Sequence, residues 1–274
     1  MSIKDFNLDL PFPDIFLDSW GEEIGPRDFM CFRNLDHFRH EMTQITQKSD
    51  DMCNMSYKDA LNMLLMGKTD FPKEEQESIR NLVRSNLHKR GLITEEVYEN
   101  FRYSSDGTKV DVDVGKYAAG EPDCVMSPAK QYVDFFYELY VSISYPWNVQ
   151  NEEVRKNIAK LLATVEELER QHIFIKITLI LPIRGACHGR DRSNFFSSIP
   201  LFSHKDRKSV ATMSAVVNDR LLRKFYFAVL ENLYTDNLND YYGYPMEMES
   251  AMNVGSEFDE IKFFTEVQEC VGAV

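Results

Sequence analysis

The sequence predicts an α/β protein with a mixed sheet that contains a βαβ unit and is covered by a helical N-terminal layer. Two observations predict this class. Apolar residues recur at helical spacing through much of the first hundred positions, and further along two apolar strand-like runs flank one long amphipathic helix. Because a strand, a helix and a second strand in succession form a crossover connection, these two strands are expected to pair in parallel.

The segment 30–102 is expected to form the helical layer, after an extended lead-in that contains prolines. Asn34 and Ser56 are residue types that cap helix N-termini, and each precedes a run with apolar residues at helical spacing. Pro72 and Gly91 bound a third amphipathic stretch, since proline is favoured in a first helical turn and glycine just past the last one. Three helices are therefore predicted in this part of the chain.

The segment 105–235 is expected to hold the βαβ core, and a short fourth helix over 94–102 should lead into it. Strict alternation of apolar and polar residues in KVDVDVGKY indicates a half-buried strand. The other predicted elements of the core are strands over 137–145 and 172–182, a helix over 151–171 capped by Asn151, and a helix over 218–234 capped by Asn218.

The segment 246–274 is acidic, and it has two interpretations. It could compete with nucleic acid for a basic site or present itself to a partner protein. Equally, it could form a terminal helix that packs Phe258, Ile261 and Phe264 on the body of the protein. Because neither a repeat nor a clear linker interrupts the sequence, residues 1–274 are expected to form a single α/β domain.

Composition limits the classes of function. The formal net charge of -13 argues against wholesale coating of duplex DNA or of membranes. A local basic groove can still hold a phosphate, because the Debye length at physiological ionic strength is about 8 Å. The five cysteines lie far apart without a C-x-x-C pair, so neither a disulfide framework nor a zinc site is expected. Without a long apolar run or a signal peptide, we expect a soluble intracellular protein and no membrane partner.

The stretch from Arg184 to Lys224 is the strongest candidate binding site. It carries nine Lys or Arg against three Asp, a surplus of six positive charges in an acidic chain. Cations that neutralise phosphates, together with rings on which bases stack, form a composition suited to a single-stranded nucleic acid. The candidate nucleic-acid-binding residues are Arg184, Arg190, Arg192, Phe195, Phe196, Phe202, Lys205, Arg207, Lys208, Arg220, Arg223 and Lys224. In the alternative interpretation, the three phenylalanines anchor a long loop to the core and the cations only keep it soluble.

A second group of cations lies at the end of the third predicted helix. Positive side chains near a helix C-terminus are commonly partners of the helix dipole, so this group is not expected to bind a ligand. Its members are Arg80, Arg84, His88, Lys89 and Arg90.

Catalytic arrangements are weak in this sequence. Cys187, His188 and Asp191 are close in sequence, whereas a nucleophile and its base normally come from distant segments. Asp111 and Asp113 share one face of a predicted strand and are expected to face water rather than hold a metal. No glycine-rich phosphate loop follows any predicted strand. We therefore expect no enzymatic activity, and neither a cofactor nor a metal.

The βαβ unit invites comparison with metal-binding von Willebrand A-type domains, whose first strand ends in Asp-x-Ser-x-Ser. Ser142 and Ser144 occupy the two serine positions, but Tyr140 stands in place of the aspartate. The carboxylate that would hold a divalent ion is therefore missing. This resemblance implies an alternative function, a von Willebrand-like α/β protein-interaction module without a metal site.

Three stretches resemble, in chain order, signature segments of a phage protein family. They are VDVDVGKYAAGEPDCVM (110–126), NDRLLRKFYFAVLEN (218–232) and YYGYP (241–245). The family is similar to Drc, the single-stranded-DNA-binding RNA polymerase cofactor of lytic podoviruses. The resemblance implies a non-enzymatic protein that binds single strands without strong sequence preference and helps to recruit a phage RNA polymerase to its template.

The same resemblance implies the cytoplasm of the infected bacterial host as the location, and a fold unlike the usual oligonucleotide-binding barrel. It transfers no site residues, so the twelve candidates above rest on charge and aromatic placement alone. A homo-oligomer is compatible with the sequence. The leading hypothesis is a phage single-stranded-DNA-binding transcription cofactor, and the interaction module is its alternative.

Overall fold

The structure is a computed structural model, and it describes the following parts of the chain: residues 16–17, 23–24, 28–45, 56–66, 71–93, 101–104, 111–112, 118–119, 125–128, 134–146, 148–184, 194–217, 224–226, 228–229, 244–246 and 251–272. It has the mixed α/β architecture that the sequence predicts. None of the helices in these ranges combines the length and the apolar character that crossing a bilayer requires.

A six-stranded mixed sheet forms the centre of the molecule. Its strands are β3 (Asp28–Cys31), β7 (Phe135–Ser142), β8 (Ile173–Arg184), β9 (Asn194–Phe202), β10 (Tyr244–Pro245) and β11 (Met252–Asn253). Five of them lie in the order β11-β7-β8-β9-β3, and β10 pairs with the end of β8. The β8–β9 and β8–β10 pairs are antiparallel and the other pairs are parallel.

The predicted βαβ unit is confirmed. Strands β7 and β8 pair in parallel from Phe135 opposite Ile173 to Ser142 opposite Ile180, and helix α4 (Asn151–Arg170) connects them. One face of α4 is buried over its whole length, which is why its apolar period could be recognised in the sequence. The predicted N-cap, Asn151, is wrong by one residue. The N-cap of α4 is Gln150, and its side chain makes no capping hydrogen bond.

The predicted helical layer is confirmed by helices α1 (Leu35–Gln44), α2 (Tyr57–Met66) and α3 (Lys73–Lys89). Asn34 Oδ1 accepts a hydrogen bond from the His37 backbone N–H at 2.8 Å, so Asn34 is the cap of α1. Ser56 Oγ likewise accepts from the Asp59 backbone N–H at 3.1 Å, ahead of α2. Beyond α3, Gly91 has a φ of +69°, a left-handed conformation that glycine adopts without strain.

The N-terminal part is not purely helical. Strand β3 lies within the segment predicted as lead-in and helix, yet it pairs in parallel with β9 at the edge of the central sheet. The predicted fourth helix is wrong at its end, because Phe101–Ser104 forms strand β4; residues 94–100 lie outside the described residues.

Two further sheets complete the strands that the structure describes. Strand β4 pairs antiparallel with β6 (Val125–Pro128), which also pairs with β5 (Asp111–Val112). Part of the predicted KVDVDVGKY strand is thereby confirmed at β5. Strands β1 (Phe16–Leu17) and β2 (Glu23–Ile24) form an antiparallel pair.

The segment after β9 contains a helix that the sequence did not indicate, α5 (Val210–Val217). Of the predicted helix over 218–234, residues 224–226 and 228–229 are described, and they are helical; Asn218 is outside the described residues. Helix α6 (Glu260–Gly272) forms in the acidic tail, with Phe258 and Phe264 buried as the packed-helix interpretation requires.

The tail helix packs on the rest of the molecule through both apolar and polar contacts. Asp259 Oδ1 caps α6 by accepting from the backbone N–H of Ile261 and of Lys262. At the first turn of α6, Glu260 is buried, and its Oε1 accepts a hydrogen bond from Asn86 Nδ2 on α3. Buried residues of the N-terminal helices, the βαβ unit and α6 belong to one continuous hydrophobic core.

Candidate nucleic-acid interface

The three phenylalanines predicted to stack on bases are buried. Phe195, Phe196 and Phe202 are 1%, 1% and 6% exposed, so the prediction that they offer ring faces to a ligand is wrong. All three lie in β9, which pairs with β8 on one side and with β3 on the other. Phe195 and Phe202 pack in the main hydrophobic core and Phe196 packs in a separate small cluster, so both faces of β9 are covered. A strand covered on both faces shows no alternation of apolar and polar residues, so its sequence has no strand period.

Two of the predicted cations have buried side chains, Lys208 and Lys224. The Lys208 side chain is 4% exposed, and its Nζ lies 2.5 Å from Glu169 Oε1 at the C-terminal end of α4. The same Nζ donates hydrogen bonds to the carbonyl oxygens of Ser203 and His204. Lys224 is 1% exposed. Neither ammonium group can reach a phosphate while these contacts and this burial persist, so both predictions are corrected.

Two predicted cations are solvent-exposed, Lys205 and Arg207, in the turn that follows β9. This turn is ordered by Asp206, whose Oδ2 accepts a hydrogen bond from the Ser203 backbone N–H at 2.7 Å. That hydrogen bond lowers the pKa of the Asp206 carboxyl, which therefore stays ionised between the two cations. Outside the residues whose side chains are described lie Arg184, Arg190, Arg192, Arg220 and Arg223.

The cations on α3 connect helices. Arg80 Nε lies 3.0 Å from Glu166 Oε2, and Arg84 Nε lies 3.9 Å from Glu167 Oε1, both across the contact between α3 and α4. Glu167 is buried and is also bound by Arg170. Arg80 and Arg84 therefore each have an acidic partner on α4, although both side chains stay about half exposed.

An aromatic cluster that the sequence analysis overlooked lies on the face of the sheet away from α4. Phe136 is 61% exposed, and its ring packs on Phe174 with centroids 6.0 Å apart and planes 29° apart. The ring of His204 meets Phe136 edge-on at 5.0 Å. We call Phe136, Phe174 and His204 the aromatic platform. The Phe136 ring is exposed and the Phe174 and His204 rings are half-buried, whereas Phe195, Phe196 and Phe202 are buried.

Strand register assembles the platform. Phe136 and Phe174 are partners in the parallel β7–β8 pair, so their side chains leave the same face side by side. Strand β9 runs antiparallel to β8, and the turn after β9 therefore returns to the beginning of β8. The Lys208–Glu169 contact anchors that turn to α4. In the turn, the ring of His204 contacts Phe136, and Lys205 is the next residue along the chain.

A polar group follows the platform along the same two strands. Glu138 is the partner of Lys176, and Lys176 Nζ donates to Glu138 Oε1 at 2.8 Å. The Tyr140 hydroxyl donates to Glu138 Oε2 at 3.1 Å. The hydrogen bond from Lys176 is the main reason that the pKa of Glu138 is lowered. The pKa of Tyr140 is raised to about 12, mainly by burial of its hydroxyl and secondly by its hydrogen bond to Glu138. Both Glu138 and Lys176 keep part of their side chains open to solvent.

The far end of this face is closed. Ile180, Phe196 and Met246 form a small buried cluster, with Tyr140 and Ala251 packed against it. The open part of the face therefore extends from the aromatic platform to the Glu138–Lys176 pair.

The two serines of the von Willebrand comparison, Ser142 and Ser144, are buried within the sheet region. Ser144 Oγ donates to the Pro182 carbonyl oxygen at 2.6 Å. Asn253 Nδ2 in β11 donates to the Ser144 carbonyl oxygen at 2.9 Å, so β11 covers the end of β7 at this edge of the sheet. Within the described ranges, no group of three His, Cys, Asp or Glu side chains is placed to hold a metal ion.

The platform had a signal in the sequence. In the strand 135–142, aromatic and charged residues occupy alternate positions 136, 138 and 140, and the next strand begins in the same way at 174 and 176. Alternation of this kind shows that one face is not fully buried. Which residues meet across the strands depends on the parallel register, and that register came only with the structure.

Comparison with known proteins gives a family. A family model described as a domain of unknown function, DUF7192, matches residues 16–269. The chain belongs to the DUF7192 family. No curated protein and no solved structure matches it. The DUF7192 match includes strands β7, β8 and β9, so the aromatic platform lies within the family domain.

Proposed function

We propose that this DUF7192 protein is a non-enzymatic single-stranded-DNA-binding protein that holds unpaired bases on the aromatic platform. The observation that carries the proposal is the exposed Phe136 ring, packed on Phe174 and contacted by His204. Several single-strand-binding modules stack bases on aromatic rings of a sheet face, and such stacking tolerates any sequence because every base has a face that can stack. Within the part of the chain described, Phe136 is the most exposed aromatic side chain among the large exposed hydrophobics.

Phosphate contacts in this proposal come from the turn next to the platform. Lys205 and Arg207 are exposed there, and Lys205 directly follows His204. The net charge of -13 opposes binding of a polyanion at long range. Because the Debye length is about 8 Å at physiological ionic strength, cations adjacent to the bound strand outweigh carboxylates on the far side of the protein.

We further propose that the protein acts as a transcription cofactor, which is a more specific role than binding single-stranded DNA. This proposal rests on the resemblance of 110–126, 218–232 and 241–245 to a phage protein family, and it places the protein in the cytoplasm of an infected bacterium with a phage RNA polymerase as partner. Retention of such a polymerase on a single-stranded template should rise when the protein is added. Unchanged retention would reject this part and leave DNA binding intact.

Fluorescence anisotropy with a labelled single-stranded oligonucleotide tests the binding proposal. Replacing Phe136 by Ala removes one base stack and should weaken binding roughly 5- to 150-fold, the equivalent of about 1–3 kcal/mol. Leu82→Ala is the matched control, because it removes another exposed apolar side chain, on α3. Equal weakening in both variants would reject the platform, and absence of binding by the wild-type protein would reject the function.

Salt and metal dependence complete the test. The double variant Lys205→Met, Arg207→Met should reduce the slope of log affinity against log salt by about 0.7 for each phosphate that these two side chains neutralise. Adding magnesium or manganese should leave the oligonucleotide intact. Degradation would favour a metal-dependent nuclease instead.

A protein-interaction module is the second candidate. It is favoured by three exposed apolar side chains on the N-terminal helices, Leu65 and Met66 on α2 and Leu82 on α3. This candidate expects no anisotropy change with any oligonucleotide at micromolar protein. It expects instead a stable protein partner that the Met66→Asp variant no longer binds.

A further inference from the structure

The Glu138–Lys176 pair lies next to the aromatic platform, within reach of the base that follows the one stacked on Phe136. Glu138 and Lys176 each follow a platform phenylalanine by two positions on the same strand face. Two residues along a strand span roughly 6.6 Å. RNA-binding sheets of the RRM type hold two or three bases of one strand on a single sheet face. A strand anchored on Phe136 and running along β7 would therefore bring its neighbouring base within hydrogen-bonding reach of this pair.

The pair offers a particular pattern of donors and acceptors. The Lys176 ammonium has three donors, and Glu138 Oε1 receives one of them at 2.8 Å. The Glu138 carboxylate has about four lone-pair positions, and its contacts from Lys176 and Tyr140 leave capacity for more donors. Its lowered pKa keeps it ionised, so it acts only as an acceptor near neutral pH. A base that turns its edge toward the pair meets hydrogen-bond donors at the Lys176 ammonium and a two-oxygen acceptor at the Glu138 carboxylate.

Guanine fits this pattern best among the four bases. Its Watson–Crick edge presents the O6 acceptor followed by the N1–H and N2–H donors, so O6 faces the ammonium and both donors face the carboxylate. Cytosine and adenine each offer one amino group on that edge, which gives the carboxylate a single nitrogen donor. Thymine offers only N3–H and would turn a carbonyl oxygen toward the carboxylate.

We propose that Glu138 and Lys176 select guanine as the base next to the one stacked on Phe136. This inference rests on the proposed function, because it needs a single strand held on the platform. Phe136 then supplies affinity without sequence preference, and Glu138 supplies the preference. The matched pair of side chains lies on two adjacent strands of the rigid sheet, which fixes their spacing before DNA binds.

The test compares oligothymidylates that differ at one central position. With dG at that position, affinity should rise about tenfold over the all-thymidine strand, as a two-point contact to one base provides. With deoxyinosine, which lacks the N2 amino group, most of the gain should disappear. Adenine and cytosine at that position should bind less tightly than guanine.

Glu138→Gln separates preference from affinity. The amide keeps the shape but offers one acceptor and one donor, so the guanine preference should fall to about twofold or less while affinity for the all-thymidine strand is kept. Thr178→Val is the control, since Thr178 lies two positions after Lys176 on the same face of β8, is buried, and is not part of the Glu138–Lys176 pair. This control should keep the tenfold preference.

The outcomes are distinguishable. If all four bases bind equally and Phe136→Ala weakens each of them, the guanine inference is wrong and the proposed function stands. If guanine is preferred equally by wild-type protein and by Glu138→Gln, the preference arises elsewhere and the inference is wrong. If no oligonucleotide binds, both proposals are overturned.

Discussion

Replacing Lys208 by Met separates a structural role of this side chain from a role in binding phosphate. The Lys208 side chain is 4% exposed and its Nζ contacts Glu169 Oε1 at 2.5 Å, while the Glu169 side chain is 25% exposed. Removing one member of a buried ion pair costs about 3–5 kcal/mol, because it leaves the partner charge uncompensated. Glu169 keeps some contact with water, so the lower end, about 3 kcal/mol, is expected.

Urea denaturation followed by circular dichroism measures this destabilisation. The midpoint should fall while the slope m stays at the wild-type value, since the surface exposed on unfolding is unchanged. Lys205→Met is the matched control, because Lys205 is exposed, and its free energy of unfolding should stay within about 0.5 kcal/mol of the wild type. If Lys208→Met is as stable as Lys205→Met and weakens DNA binding instead, the structural assignment of Lys208 is refuted.

Three further predictions concern packing and charge. Phe195→Ala should lower the free energy of unfolding by about 3–5 kcal/mol in urea, because Phe195 is buried, whereas a drop below about 1 kcal/mol would contradict its place in the core. Gly255→Ala should cost about 1–3 kcal/mol, since a Cβ there would lie 2.3 Å from Tyr145 Cβ, and Ser256→Ala next to it is the control that should cost less. Lys176→Met should raise the pKa of Glu138 in an NMR titration, because the ammonium lowers it in the folded protein. The stabilisation that this ion pair gives the folded protein is therefore present above the ordinary pKa of a glutamate and is lost as the pH falls through the lowered pKa. Identical titration curves of Glu138 in the wild type and in Lys176→Met would contradict the prediction.

The sequence was sufficient for the elements whose pattern is local. Helix α4 has a long apolar stripe, and the caps Asn34 and Ser56 act within three residues of themselves, so both kinds of feature can be recognised without a fold. The parallel pairing of β7 with β8 followed from the single helix between them.

The candidate site could not be predicted in the same way, because its features depend on distant partners. Lys205 and Lys208 look alike in sequence, and what distinguishes them is Glu169 on another element. Phe195 follows polar residues in the sequence, yet its side chain packs in the main hydrophobic core. Phe136 becomes part of a platform only because the sheet register brings Phe174 beside it and the turn after β9 brings His204.

The most direct test of the central claim is photo-crosslinking of a bromodeoxyuridine-substituted single strand to the wild-type protein, followed by mass spectrometry of the crosslinked peptides. We expect crosslinks at Phe136, Phe174 or His204, the rings of the open sheet face, and a marked decrease of crosslinking in Phe136→Ala. Crosslinks confined to helices α3 or α6, with none on β7, β8 or the turn after β9, would contradict the claim.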